Sequence, residues 1–295
     1  MTLAPRPAPS VFRRLAIWLV RHPRGRLALL LAAPVAWLGV AYLGSLGVLF
    51  LNAIWQRDEF TGLVRREFTL DNFTTIVTNP LYRTVILRTV GMAVAVTFTC
   101  AVLAFPIAYF MARIASGRTR GLLVVAVLMP LWASYLVKAY SWRLILSEDG
   151  LLNWLLAPLG LRGPGQTEIG LWLVFTYLWL PYMILPLYAG LERIPRSLLE
   201  ASSDLGGRGW QTFRRVIFPL VVPALAAGSI FTFSLTLGDY VAPSLITTTQ
   251  FVGNLIYLNF GAPNLPFAAA LSVLPLLAML IYLFIARRFG AFEAL

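Results

Sequence analysis

Ile194-Pro195-Arg196-Ser197-Leu198-Leu199-Glu200-Ala201-Ser202-Ser203-Asp204-Leu205-Gly206-Gly207, followed closely by Trp210-Gln211-Thr212-Phe213-Arg214-Arg215-Val216-Ile217-Phe218-Pro219, is a polar stretch between two long apolar runs. Pro195 suits the first turn of a helix and Gly206-Gly207 suits its C-terminal stop. Leu198, Ala201, Ser202 and Leu205 recur at three- and four-residue spacing and share one face. A second short helix is expected over Trp210–Ile217, with Trp210, Phe213 and Ile217 on one face, Arg214 and Arg215 solvated, and Pro219 ending it at the membrane. Composition alone leaves two readings open. Either this is a pair of short amphipathic helices shaped for a partner's groove, or it is a plain loop lying on lipid headgroups.

The flanking runs, Ile169–Gly190 and Leu220–Pro243, both meet the requirement of about 20 mostly apolar residues for a membrane helix. Leu27–Phe50, Thr84–Ala112, Gly121–Ile145 and Phe267–Arg287 meet it too, which predicts an all-α protein with six transmembrane helices. Across its 295 residues the chain is 59% apolar and 12% charged, against about 25% charged for a soluble domain. An ordinary soluble enzyme, a disordered tail and a disulfide scaffold are excluded. The net charge of +12 would suit nucleic acid only if it formed basic patches on a polar surface.

Sorted by connection, the charge tells a different story. One set of flanks holds sixteen arginines, running from Arg6 through Arg113, Arg118, Arg120, Arg193, Arg196, Arg208, Arg214 and Arg215 to Arg288, against Glu192, Glu200, Asp204 and Glu293. The opposite flanks hold Arg57, Arg65, Arg66, Arg83 and Arg162 against seven carboxylates. Arginine-rich flanks face the cytoplasm, so both termini are expected there and no nucleic acid partner is expected. Residues 1–26 form a cytoplasmic or interfacial segment and 27–290 the transmembrane domain. Within the first, Ser10–Arg26 suits a short interfacial helix. Phe12-Arg13-Arg14 has a twin-arginine look, but Leu27–Phe50 is too long for a cleavable h-region of about 7–15 residues.

Several chemistries have no residues to support them. Cys100 is the one cysteine and His22 the one histidine, so no metal cluster or His-based nucleophile is expected. Lys138 is the one lysine and lies in no Gly-Lys-Ser/Thr phosphate loop. Any energy source must sit on another subunit or in an ion gradient.

Glu200-Ala201-Ser202, three residues, Gly206, nine residues, then Val216-Ile217-Phe218-Pro219 resembles the EAA loop of binding-protein-dependent ABC importer permeases. That pattern is E-A-A, three residues, G, nine residues, I-x-L-P. The chain keeps the Glu, first Ala, Gly and Pro, and departs at Ser202, Val216 and Phe218. Leu180-Pro181-Tyr182-Met183-Ile184-Leu185-Pro186-Leu187-Tyr188, Leu237-Gly238-Asp239-Tyr240-Val241-Ala242-Pro243 and Val137-Lys138-Ala139-Tyr140-Ser141-Trp142 resemble the spermidine/putrescine branch, as do Gly150-Leu151-Leu152-Asn153 and Asn254-Leu255-Ile256. The likeness runs over residues 80–290. It implies a type I ABC importer permease fold in the bacterial inner membrane, importing a small, polyamine-like organic solute. It implies as partners ABC ATPase subunits, a second permease subunit, homologous or identical, and a periplasmic substrate-binding protein. It also implies that loop 191–219 is a coupling helix, with Glu200, Ala201, Ser202, Asp204 and Gly206 meeting the ATPase. ATP would be bound by the partner, with no cofactor, no metal and no catalysis on this chain.

Charges inside spans default to functional hypotheses. At the helical rise, Lys138 and Arg143 fall in the outer part of span three, Arg88 in that of span two and Asp239 in that of span five. Two readings stand side by side. Asp239 and Lys138 form an ion pair, or snorkel; or Tyr135, Lys138, Tyr140, Trp142, Asp239 and Tyr240 line the outer mouth of a solute path, where a carboxylate among aromatic faces would suit a cationic amine. Prolines 106, 130, 181, 186, 223, 243 and 275 are expected to interrupt the spans. The alternative function is an ion-gradient-driven secondary transporter, for which Asp239 would be the one intramembrane carboxylate.

Overall fold

The computed structural model describes residues 23–58, 60–261 and 264–291. The interfacial helix expected over 10–26 lies almost wholly outside them. The chain divides into two units, Met1–Asn52 and Ala53–Leu295. The described residues of the first unit form one apolar helix: α1 (Pro23–Trp37), a π turn over Leu38–Leu43, and α2 (Gly44–Ala53), whose last residue opens the second unit. Asn52 turns its amide back onto the Val48 carbonyl, 2.8 Å away, so its polar group is satisfied within the helix.

The second unit begins with a two-stranded hairpin, β1 (Gln56–Arg57) paired antiparallel to β2 (Val64–Arg65). Gly62, at φ +70°, permits the tight turn. After α3 (Asp71–Thr78), the Asn79 side chain accepts from Leu81 N–H and Pro80 occupies the first turn, which starts α4 (Pro80–Tyr109). A π turn over Phe110–Ile114 ends it. Then come α5 (Gly117–Trp132), α6 (Tyr135–Ile145), α7 (Leu151–Leu156), α8 (Glu168–Glu192), α9 (Arg196–Asp204), α10 (Gly209–Thr212), a π turn over Phe213–Ile217, α11 (Phe218–Gly238), α12 (Val241–Ile246), α13 (Val252–Gly261) and α14 (Leu265–Arg288).

The core is the packing of α4, α8 and α11. Helix α4 offers Ala93, Val96, Cys100, Ala104 and Ala108; α8 answers with Leu171, Val174, Phe175, Leu178, Met183 and Leu187, all buried. With no water to drive helices together in a bilayer, close approach through small residues does the work. Gly190 lies against Ala224, and a Cβ on Gly228 would sit 2.8 Å from Met183 Sδ. The indifferent hydrophobic patterning of these helices follows, since their outer faces meet lipid rather than water.

Arginine bonds order the ends. Arg88 Nε lies 3.0 Å from Glu168 near the start of both α4 and α8, and Arg113, in the π turn that ends α4, bonds Leu191 O at the far end of α8. These two helices therefore run parallel. Helix α11 runs back, since Phe213, just ahead of its start, meets Phe105 near the end of α4, while Thr232, further along it, lies 3.4 Å from Thr97, nearer the start of α4. Spans two, four and five thus take the relative directions that successive crossings require.

Three expectations need correction. Span three is not continuous: Ala133 and Ser134 are extended, and α6 departs from α5 at 92°. Counting helical rise through to Lys138 and Arg143 therefore misplaces them, because the rise no longer runs along one axis. Span five ends at Gly238 rather than Pro243, with Asp239 extended and α12 following. Finally, Pro219 ends nothing, for Gly209–Gly238 is one 30-residue helix. The π turn makes that possible, because Phe218 N–H reaches back to Phe213 O and the register shifts just ahead of the proline that has no N–H to give. Likewise prolines 106, 181, 186, 223 and 275 sit inside helices. Pro130, two residues short of a helix end, adjoins one break, and Pro243, in the first turn of α12, adjoins the break at Asp239.

Candidate functional site

Helix α9 starts at the N-cap Pro195 and stops in a paired closure. Gly206 N–H bonds Ser203 O at 2.9 Å and Gly207 N–H bonds Ser202 O at 2.8 Å, the reciprocal pattern that ends a helix in a left-handed residue. Gly206 supplies it at φ +76°. A Cβ on Gly207 would lie 2.6 Å from the Ser202 carbonyl oxygen, so this position excludes any side chain.

The face expected from Leu198, Ala201, Ser202 and Leu205 is not turned inward. Leu205 is 89% and Leu198 43% exposed, with Glu200, Ala201 and Asp204 not buried either. Leu199 and Ser202 face the protein instead. Ser202 Oγ meets Thr212 Oγ1 at 2.8 Å and ties α9 to α10. The replacement of an alanine by serine is therefore a specific bond. On the next turn Trp210 stacks on Phe213, 5.2 Å between centroids, and Phe213 meets the edge of Phe105 on α4 at 5.3 Å. Ile217 is buried and Arg214 and Arg215 are not, as expected. Trp210, though on that face, is 69% exposed.

Two arginines that sequence reading counted only as topology hold the root of this loop. Arg113 Nη2 donates to Leu191 O at 2.6 Å and to Ile194 O at 2.7 Å. Arg120 adds a bond to Ala112 O at 3.4 Å beside its pairing with Glu192. Arginine beside a helix C-terminus was the signal available, but the partner helix could not be read from one chain's order.

At the opposite end, Tyr135 O–H donates to Asp239 Oδ2. Asp239 Oδ1 accepts from Val241 N–H at 2.8 Å and Ala242 N–H at 3.2 Å. Lys138 lies elsewhere: its Nζ donates to Pro130 O at 3.0 Å, across the break in span three. The Asp239–Lys138 pair is not formed. Of the expected path residues, Tyr135, Asp239 and Tyr240 come together. Trp142 packs on Tyr177 instead, Tyr240 stacks on Tyr257 at 4.6 Å, and Tyr140 is exposed. A row of rings went unread in the sequence: Tyr135 stacks on Trp179 (6.1 Å), which contacts Phe175 and Tyr182, and Tyr182 stacks on Phe231.

With a short helix turned outward at one end of a bundle of apolar helices, residues 104–292 match the family described as "Binding-protein-dependent transport system inner membrane component". The chain belongs to that family. Over 291 residues this permease is 47% identical to the inner membrane ABC transporter permease protein YdcU of Escherichia coli (strain K12), covering 93% of each. It is 33% identical over 251 residues to the spermidine/putrescine transport system permease protein PotB of the same organism, covering 81% of this chain and 88% of the relative. It is also 31% identical to the trehalose transport system permease protein SugA of Mycobacterium tuberculosis (strain CDC 1551 / Oshkosh), covering 97% and 95%. Its fold matches a chain of a bacterial alginate ABC transporter crystallised with its pentasaccharide-bound periplasmic protein, at TM-score 0.69, 17% identity and 94% and 98% coverage. A chain of the MetNI methionine ABC transporter matches at 0.56, with 15% identity and 71% and 94% coverage. The protein is thus a multi-pass inner membrane permease component of an ABC import system. The ion-gradient alternative finds no support.

Proposed function

We propose that the permease imports a polyamine-like cationic solute, driven by ATPase subunits that dock on α9. The arginine-rich end of the bundle is the cytoplasmic one, so both termini lie inside. The observation that carries the docking assignment is the helix itself: α9 is closed by Gly206 and held to α10 through Ser202, yet it turns Leu198, Glu200, Ala201, Asp204 and Leu205 outward. A short helix that leaves Leu198, Ala201 and Leu205 exposed beside two carboxylates expects a partner. The ATPases bind the nucleotide, this chain holds no cofactor and no metal, and a second permease subunit and a periplasmic binding protein complete the importer.

The solute class rests on two supports. One relative's name couples it to spermidine and putrescine. The Tyr135–Asp239 pair, with Tyr240 adjacent and the rings of Trp179 and Tyr182 behind it, offers a carboxylate and π faces to an ammonium group. Lys138, bonded to Pro130 O, does not neutralise that carboxylate. Lys138, Tyr140 and Trp142 therefore contribute to the path through the position of α6.

In vesicles holding the complete transporter, labelled spermidine should enter only with ATP and the loaded binding protein, while trehalose should not. Trehalose uptake without spermidine uptake would overturn the solute class. Glu200→Arg should reduce ATPase co-purification at least tenfold with the permease still inserted. Retention of the ATPase would overturn the docking assignment.

A further inference from the structure

The stretch Leu191–Ile194 lies immediately before Pro195, where α9 begins, and it is gripped from the α4–α5 connection and α5 rather than from α9 itself. A single nitrogen, Arg113 Nη2, reaches both Leu191 O and Ile194 O at 2.6 and 2.7 Å. Both carbonyls lie at the C-terminal end of α8, where the helix dipole favours a cation, and charge-assisted bonds of this kind are stronger than neutral ones. Between them, Glu192 is held by Arg120. The side chains of Leu191 and Ile194 are buried in the same cluster as Met111, Ala112 and Ile217. Within α9 itself, Leu199 and Ser202 are the residues that turn toward the protein. Force applied to its outward face therefore leaves through these two side chains, through the Gly206 turn and through the clamped root.

We propose that Arg113 is a positioning residue that clamps the root of α9 to the α4–α5 connection, so that displacement of α9 is delivered to α5 and onward to the break at Ala133–Ser134. Arg113 belongs to the π turn that ends α4, and Arg120 to the first turn of α5. Helix α5 leads directly to the 92° bend, beyond which Tyr135 holds Asp239. The inference rests on α9 being the docking helix for its transport consequence; the clamp itself does not.

The test places spin labels at Ser203→Cys on α9 and Arg118→Cys on α5, in a Cys100→Ala background, in the complete transporter. Without nucleotide, the inter-label distance distribution should be narrow with Arg113 present and at least about twofold wider in Arg113→Gln. Because one nitrogen makes both bonds, Arg113→Lys should restore most of the narrowness, a rescue that a bulk-packing role would not give. With ATP, the distance should stay constant with Arg113 present, the two sites moving as one body, and should shift in Arg113→Gln while ATPase co-purification is unchanged. An equal width with Arg113 and in Arg113→Gln overturns the clamp, as does an ATP-dependent shift with Arg113 intact. Release of the ATPase by Arg113→Gln also overturns it, since the residue would then only fold the docking surface. Failure of the docking assignment would show separately, as an ATPase retained by Glu200→Arg, with the nucleotide-free widths still deciding the clamp.

Discussion

Helices α9 and α12 are both short and both lie beside the end of a long apolar helix, yet their circumstances are opposite. Helix α12 buries Ala242, Pro243 and Ile246 and is tied at its start by Asp239, whose carboxylate takes two backbone N–H groups and the Tyr135 hydroxyl. Helix α9 buries no residue fully and is closed by its own backbone around Gly206. One is covered by this chain and the other is not. The difference teaches that a short amphipathic helix in a membrane protein is read correctly only when its end closures are separated from its faces. Closure shows that the helix is meant to exist alone, and the faces show who covers it.

The largest effect should come from breaking the covered helix. Asp239→Ala leaves the Tyr135 hydroxyl and the Val241 N–H without their partner, and the Ala242 N–H with the Tyr135 oxygen alone, a loss of about 2 kcal/mol or more. A melting temperature several degrees lower in detergent should report it, whereas Asp204→Ala on exposed α9 should leave melting unchanged. A smaller effect should come from loosening α9 from α10. Ser202→Ala removes one hydroxyl–hydroxyl bond to Thr212 and should cost about 1 kcal/mol or less. Thr212→Ala should add nothing further in the double variant, because the two share the bond.

The smallest effect extends the contrast to a carboxylate bonded like Asp239 but placed in the β1–β2 turn. There Asp58 accepts from Thr61 N–H at 2.8 Å and Phe60 N–H at 2.9 Å and pairs with Arg65. The Thr61 backbone bond is the chief reason its carboxyl is held below the usual 3.8. A depressed folded value means the contribution is whole above about pH 3.8 and is lost as pH falls through the lower folded value. Amide exchange at Phe60 and Thr61 should therefore accelerate only in strong acid, and Asp58→Asn should remove that pH step.

Much of this was legible in residue order. Gly206-Gly207 announces the end of α9 because only glycine accepts that backbone, and the six apolar runs announce the spans because bilayer thickness sets their length. The place of the break at Ala133–Ser134 was not legible, since Pro130 was one of seven prolines expected to interrupt the spans and nothing in the run singles it out from those that helices accommodate. Nor was the Tyr135–Asp239 bond, which joins positions more than a hundred residues apart. Lys138 misled for a related reason: the sequence shows a charge in an apolar run, but not that a nearby helix end supplies Pro130 O as its partner. The same holds for Arg113, whose acceptors are carbonyls that any residue at those positions would offer.

The unbroken helix Gly209–Gly238 makes a mechanical link that neither short helix could make alone. At the helical rise it is a rod about 45 Å long, so a tilt of about 5° about its Gly209 end would swing the other end by roughly 4 Å. That swing exceeds the reach of a hydrogen bond. A small rocking beside Ser202 would thus be magnified into the parting of Tyr135 from Asp239, with no residue between them needing to change its conformation.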